Sequence, residues 1–244
     1  MFKAEVITGG AARRLKVIER QLPFAIMTAL NAVAKTARAT ASIETKFAFD
    51  RPTPFTQRAP LVKFAKKNNL TAEVFLRNDA AKGTPPVKYL APGVRGGGRG
   101  HKRFEKALIA AGIMGSDEYA VPGKSAKLNA YGNLSQGQIV AILTQLRAAR
   151  DDAGIGLGNK QGGKKGKKRI GYFYSRGPDG ASQTLPRGIY ARVSQYRVSL
   201  VLLFVSSVNY EKRYDFAPII RKVFDRDYRN EFRKALAAAI RTAK

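Results

Sequence analysis

At 244 residues, 44% of them hydrophobic and 9% aromatic, the chain has the inventory of a globular protein able to bury a core. Its 45 Lys and Arg against 17 Asp and Glu give a formal charge of +28, a surplus that points to a polyanionic partner: nucleic acid, an anionic membrane or an acidic protein. The lack of cysteine excludes disulfides, thiolate nucleophiles and cysteine metal sites, and apolar runs such as Leu200 to Val205 fall far short of the about 20 residues that cross a bilayer.

The opening "MFKAEVITGG" lacks the apolar core of a signal peptide, so a cytoplasmic place of assembly with no membrane insertion is expected. From Ala11 to about Lys46, apolar residues recur at Leu15, Ile18, Leu22, Ile26, Leu30, Val33, Ala37 and Ala41, one face of a helix. Arg13, Lys16, Arg20, Lys35 and Arg38 lie largely off that face. The spacing predicts a helix over 11–46, which Pro23 either kinks or restarts, because proline has no N–H and a fixed φ. Pro52 and Pro54 in "DRPTPF" end it by forcing the residues before them out of the helical region. "LTAEVFLR", Leu70 to Arg77, alternates with period two and reads as a half-buried strand.

The middle, 83–169, reads as loop-rich and basic. Its first part, "KGTPPVKYLAPGVRGGGRG", is punctuated by proline and glycine and is expected to be an extended arm. A short helix follows from Lys102 to Ala111, stopped by Gly112. In "LSQGQI", Ser135 and Gln138 have capping-box spacing and Leu134 and Ile139 that of a hydrophobic staple; Ile139, Ile142, Leu143 and Leu146 then give the helix one apolar face, running toward "DDAGIGLG". "RIGYFY", "GIYARV" and "VSLVLLFVSSV" are three strands of a sheet over 170–209, antiparallel because they follow one another directly, with the last central because it is apolar on both faces. The C-terminal helix, 217–243, carries Ile220, Phe224, Tyr228, Phe232, Leu236 and Ile240 at four-residue steps. The expectation is a single α+β domain: an antiparallel sheet flanked by long N- and C-terminal amphipathic helices, with extended Pro/Gly-rich arms.

No enzymatic chemistry or cofactor is expected. "PGKS", Pro122 to Ser125, resembles the end of a phosphate-binding loop, but Glu118 stands where its first glycine belongs. "GIGLG" has the wrong spacing for a dinucleotide fingerprint. The single histidine, His101, lies in a basic, glycine-rich run and is expected to be exposed. Asp225, Asp227 and Glu231 raise the idea of a metal-dependent nuclease, yet adjacent cations such as Arg221, Lys222 and Lys234 make surface ion pairs the simpler expectation.

Basic loops carry the binding expectation. Between Asp152 and Asp179 there is no carboxylate, and Lys160, Lys164, Lys165, Lys167, Lys168 and Arg169 crowd that interval among glycines. Such a loop neutralises phosphates without reading bases, or meets an acidic protein. Arg95, Arg99, Lys102 and Arg103 around "GGGRGHKR" form a second basic arm with the same two possible partners. Tyr172, Phe173 and Tyr174 have the chemistry to stack bases, but alternation sends Tyr172 and Tyr174 to one strand face, which favours a core or a subunit interface.

The N-terminal "LPFAIMTALNAVAKTARATA", the break "FDRPTPFT", the basic loop-rich middle and the terminal "FDRDYRNEFRKALAAAIRTAK" together resemble minor tail and tail-completion proteins of tailed bacteriophages, the Z-type minor tail proteins above all. The likeness covers roughly the first quarter and the last eighth of the chain, in pattern and charge. It implies a non-enzymatic virion component assembled in the host cytoplasm. The family would place it in a homo-oligomeric, hexameric ring at the tail end or at the head-tail neck, beside tail-tube, terminator or connector subunits. Genome DNA or the tape-measure protein would lie in the channel. The alternative is an RNA- or DNA-binding module of ribosomal or nucleoid type, equally basic and equally free of cysteine.

Overall fold

Pro23 does not break the first helix. The computed structural model of the chain describes residues 9–81, 83–146, 171–177, 185–194 and 197–242, with side chains from residue 15 onward. Helix α1 runs unbroken from Gly9 to Ala48 with Pro23 inside it, about 60 Å at 1.5 Å per residue. Proline leaves the carbonyl four residues back without its helical partner. Here Glu19, Arg20, Leu22, Pro23 and Phe24 are all exposed, so water can satisfy that carbonyl.

Small residues at four-residue steps decide what α1 packs against. Ala25, Ala29, Val33, Ala37 and Ala41 are buried, and helix α6 (Phe216–Thr242) meets the first four with Val223 and Ala235. Ala25 and Ala29 cluster with Ala235, whereas Val33 and Ala37 cluster with Val223, so the two helices run antiparallel. Methyl groups on both sides let the backbones approach, and Tyr228, Phe232 and Leu236 fill the margins. Another side of α1 is polar and holds the next segment. The Asn31 amide bonds both the N–H and the C=O of Ala65 (2.8 and 3.1 Å), Arg38 Nε donates to Pro60 O (3.2 Å), and the Ser42 hydroxyl donates to Gln57 O. That segment comprises the short α2 (Pro54–Gln57), capped by the Thr53 hydroxyl, and β1 (Pro60–Lys63), which pairs antiparallel with β2 (Glu73–Leu76).

The Pro/Gly-rich stretch holds more order than expected. Residues Pro86–Arg95 form helix α3, with Pro86 in the first turn, where its missing N–H costs nothing, and Leu90 buried beneath it. Gly96 to Lys102 stays outside any helix, with Gly96 and Gly97 at positive φ. The carbonyl of Gly93 accepts from the amides of Arg213 and Tyr214, and the buried Tyr214 donates its hydroxyl to Ala41 O at 2.9 Å. These elements make up one unit, Met1–Arg95 with Lys212–Lys244; Gly96–Glu211 is a second, a finer division than a single domain.

The second unit is a four-stranded antiparallel sheet with two helices on one face. Its order is β3 (Tyr119–Pro122), β6 (Val198–Val205), β5 (Gly188–Arg192), β4 (Tyr172–Ser175). The doubly apolar β6 is interior, as its sequence predicts. Helices α4 (Arg103–Ala110) and α5 (Gln136–Gln145) contribute Leu108, Ile142 and Leu143 to a core shared with Ala120, Ile189, Leu202 and Phe204. A register shift pairs Ile189 with Leu202 but Tyr190 with Leu200, so Val201 is extra and buries next to Leu202. Tyr172 and Tyr174 pack on this core, while Phe173 stacks on Tyr190, as strand alternation requires. Gly112, at φ +68°, stops α4 at the expected place.

The expected capping box of α5 is half formed. Ser135 Oγ accepts from the Gln138 N–H at 3.4 Å, but the Gln138 side chain does not turn back. It instead accepts from Lys127 N at 2.6 Å and donates to Ser125 O at 3.2 Å, pinning the loop before the helix from the buried side chain of Gln138. The helix closes at Gln145, short of the Asp151 region, as Leu146 packs onto the sheet core. Overall the fold is α+β, with long N- and C-terminal helices and antiparallel sheets.

Candidate nucleic-acid interface

Lys160, Lys164, Lys165, Lys167, Lys168 and Arg169 lie outside the described residues. The geometry of the basic arms therefore concerns Arg95, Arg99, Lys102 and Arg103, and the structure does not treat these four alike. Arg95 closes α3, where its charge favours the negative end of the helix dipole, and it is exposed. Arg99, Lys102 and Arg103 belong to the other unit.

Arg99 is a structural residue. Its side chain is only 11% exposed and grips the fully buried Glu105 with two bonds, Nη1 to Oε2 at 2.7 Å and Nη2 to Oε1 at 2.6 Å. Glu105 also accepts from the amides of Lys102 (2.5 Å) and Ala120 (3.1 Å), tying the start of α4 to β3. Burial by itself would raise the Glu105 carboxyl; the Arg99 bond and the two amides outweigh it and hold the group below the usual glutamate range. The guanidinium further lies 5.1 Å from the centroid of the Tyr119 ring. Its charge is committed inside the fold, and it does not present to phosphates.

His101 is likewise not the exposed side chain expected. Its ring stacks on Tyr119 at 4.7 Å, and Nε2 meets the carbonyl of Glu118 at 2.9 Å. A carbonyl only accepts, so Nε2 carries the proton. Lys102 and Arg103, with Lys106 one turn on, are the exposed cations of this arm. Lys102 is exposed as a residue, yet desolvation around its ammonium and the nearby Arg99 charge pull its pKa below the ordinary lysine value. Two cations at the N-terminal end of α4 oppose the helix dipole, and Glu105 at the third position offsets them.

The resemblance of "PGKS" to a phosphate loop ends at its backbone. Gly123 N donates to Val201 O and Ser125 N to Leu200 O, both at 2.9 Å, so these amides extend the pairing with β6 and cannot cradle an anion. Glu118 explains the missing glycine: it accepts Arg187 Nε at 2.6 Å and Nη2 at 2.9 Å, and this pair holds its carboxyl low.

The acidic residues of α6 are paired as the sequence leads one to expect, with some partners exchanged. Glu231 meets Lys234 at 2.9 Å, Asp227 meets Arg226 at 2.7 Å, and Asp225 stands 4.0 Å from Arg221. Among the described residues no three His, Asp or Glu converge as metal ligands, and no helix is long and apolar enough to cross a membrane.

Sequence reasoning missed Arg99 with Glu105, although Glu105 stands three residues after the helix-capping position, a spacing that signals a carboxylate turned back onto the backbone. It also passed over Arg226, Arg229 and Arg233 and cast Lys222 only as an ion-pair partner; the four are exposed and follow one another along α6 at helical steps of four, three and four. Comparison with family models, with curated proteins and with solved structures finds no match to this chain.

Proposed function

We propose that this protein is a structural component of a tailed-phage virion, one that completes the tail or joins head to tail as a homo-oligomeric ring, with basic surfaces toward DNA or acidic neighbours. The observation that carries the reading is the make-up of the unit built on α1 and α6, the two segments that bear the family likeness. They pair along a small-residue face, and the same unit leaves Leu15 (66%), Ile43, Phe47 (79%) and Phe64 exposed. Large apolar side chains left in water on such a unit are candidates for burial in subunit contacts. A hexameric arrangement, with tail-tube, terminator or connector proteins as neighbours, follows from the family likeness.

Electron microscopy of lysates lacking the protein tests the proposal: particles without tails, or with unjoined heads and tails, are expected, and normal infectious particles would sink it. The charge of +28 favours a second reading, a nucleic-acid-binding module of ribosomal or nucleoid type. That reading expects tight, salt-sensitive binding by a monomer. The virion reading expects rings, and light scattering with and without nucleic acid separates the two.

A further inference from the structure

On α6 the buried residues Val223, Ala235 and Ala239 face α1 and its surroundings, and the opposite side is cationic. At 3.6 residues per turn, Lys222, Arg226, Arg229 and Arg233 fall within an arc of about 60°, on the side away from the packed face, and extend over about 16 Å of helix. All four are exposed. Lys222, Arg229 and Arg233 have no carboxylate partner among the described residues. Arg226 is held by Asp227 through Nε and Nη2 at 2.7 and 2.8 Å, which fixes its direction and leaves other N–H donors unused.

We propose that this stripe is a docking surface for the phosphate backbone of a nucleic-acid duplex. Three features decide the partner. Interfaces between proteins have apolar, charge-depleted centres, and no large apolar side chain interrupts the stripe between Lys222 and Arg233. Single strands are held by stacking on aromatic rings, and the stripe has none: Phe224, Tyr228 and Phe232 turn toward other sides of the helix. A duplex carries one charge per about 1.7 Å, so a straight row about 16 Å long runs beside about nine phosphate charges. Contacts of this kind set position and not sequence, so binding is blind to base order.

The surface rests on α6 and not on the virion reading. A purified protein that binds duplex through the stripe, from a phage that assembles normally without it, keeps this inference and removes the other; the reverse result does the opposite.

The test is anisotropy of a labelled, random-sequence DNA duplex with the full chain, over a series of salt concentrations. Replacing Lys222→Gln, Arg229→Gln and Arg233→Gln together is expected to weaken binding to all duplex sequences alike and to flatten the log-log salt slope by about 2.7, three contacts at about 0.9 each. The same loss is expected when Lys160, Lys164, Lys165, Lys167, Lys168 and Arg169 are already neutralised, which separates the helix from the loop. Asp227→Asn, which removes the one carboxylate held against the stripe, is expected to tighten binding. Thermal unfolding of the triple variant should match the parent, since the side chains are exposed. A salt slope unchanged by the triple substitution overturns the proposal. So does a loss of binding to poly-glutamate with duplex binding intact, because the stripe would then be a site for acidic protein.

Discussion

The Arg99 guanidinium closes on the Glu105 carboxylate through two hydrogen bonds of 2.7 and 2.6 Å, and Glu105 is wholly shut from solvent. Removing one member strands the other charge in a place water does not reach, which costs about 3–5 kcal/mol for a buried pair. Arg99→Ala should therefore destabilise the unit that spans Gly96–Glu211 by that amount, while Arg103→Ala, four residues on and exposed, should stay within about 0.5 kcal/mol. Urea unfolding of the two variants measures the contrast. Equal effects would mean that the pair is not what anchors α4 to β3.

The same carboxylate makes the fold sensitive to acid. Glu105 and Glu118 both have pKa values lowered in the folded state, each by an arginine, with two backbone amides helping at Glu105 and one, that of Gly115, at Glu118. A group whose folded pKa lies below its unfolded value, 4.5 for glutamate, contributes stability that is complete above that value and is lost as the pH falls through the folded one. Urea midpoints should thus be flat near neutrality and drop as the pH is taken below the ordinary glutamate range. Glu118→Gln should flatten that drop, and an unchanged acid limb in the variant would exclude Glu118 from it.

Two glycines predict opposite signs. A Cβ on Gly188 would run into the carbonyl oxygen of Leu202, which is main chain of the adjacent strand and cannot turn aside. Gly188→Ala is expected to cost about 1–3 kcal/mol as overpacking, by forcing β5 from β6. Gly137, in the first turn of α5, has nothing within 4 Å of such a Cβ. Gly137→Ala should stabilise by up to about 1 kcal/mol through a better helix former and a less free unfolded chain. Chemical denaturation of both single variants gives the comparison.

What was legible in the chain follows the reach of the forces involved. Periodic burial marked α1 and α6, because each repeats its apolar pattern over many turns, and β6 was marked by a run of residues apolar on both faces; packing only selects what these patterns already specify. Pro23 was ambiguous from sequence alone, since proline can kink a helix or restart it, and continuation through it depends on whether water reaches the freed carbonyl. β1 and β3 were missed: unlike β2, neither sits in a longer run that alternates, and each is drawn into a sheet by its partner strand, β2 and β6. The helical 86–95 stretch was hidden by its prolines, which local rules read as breaks and tertiary burial of Leu90 overrides. At the candidate interface, net charge pointed to a polyanion partner but not to which cations are free. Arg99 and Arg103 look alike in "GRGHKRF", and only the fold reveals that one is sealed against Glu105 and the other faces water.

Asn31 supplies the last test, because it does for the residues just after β1 what no apolar residue of α1 can. Its amide oxygen takes the N–H of Ala65 at 2.8 Å and its amide nitrogen gives to the C=O of Ala65 at 3.1 Å, so one side chain replaces a missing strand neighbour for a buried residue. Asn31→Ala deprives both backbone groups of partners, and an unsatisfied buried group costs about 1–3 kcal/mol. Asn31→Asp keeps the acceptor for the Ala65 N–H but sets a carboxylate against the Ala65 carbonyl, so it should recover at most part of that loss. Thr28→Ala is the control, since the Thr28 hydroxyl returns only to its own helix, at Phe24 O, and is exposed there; a change within about 0.5 kcal/mol is expected. Stabilities in the order Thr28→Ala, Asn31→Asp, Asn31→Ala, from highest to lowest, support the clamp. If Asn31→Ala matches Thr28→Ala, contacts other than the amide hold the segment after β1 against α1.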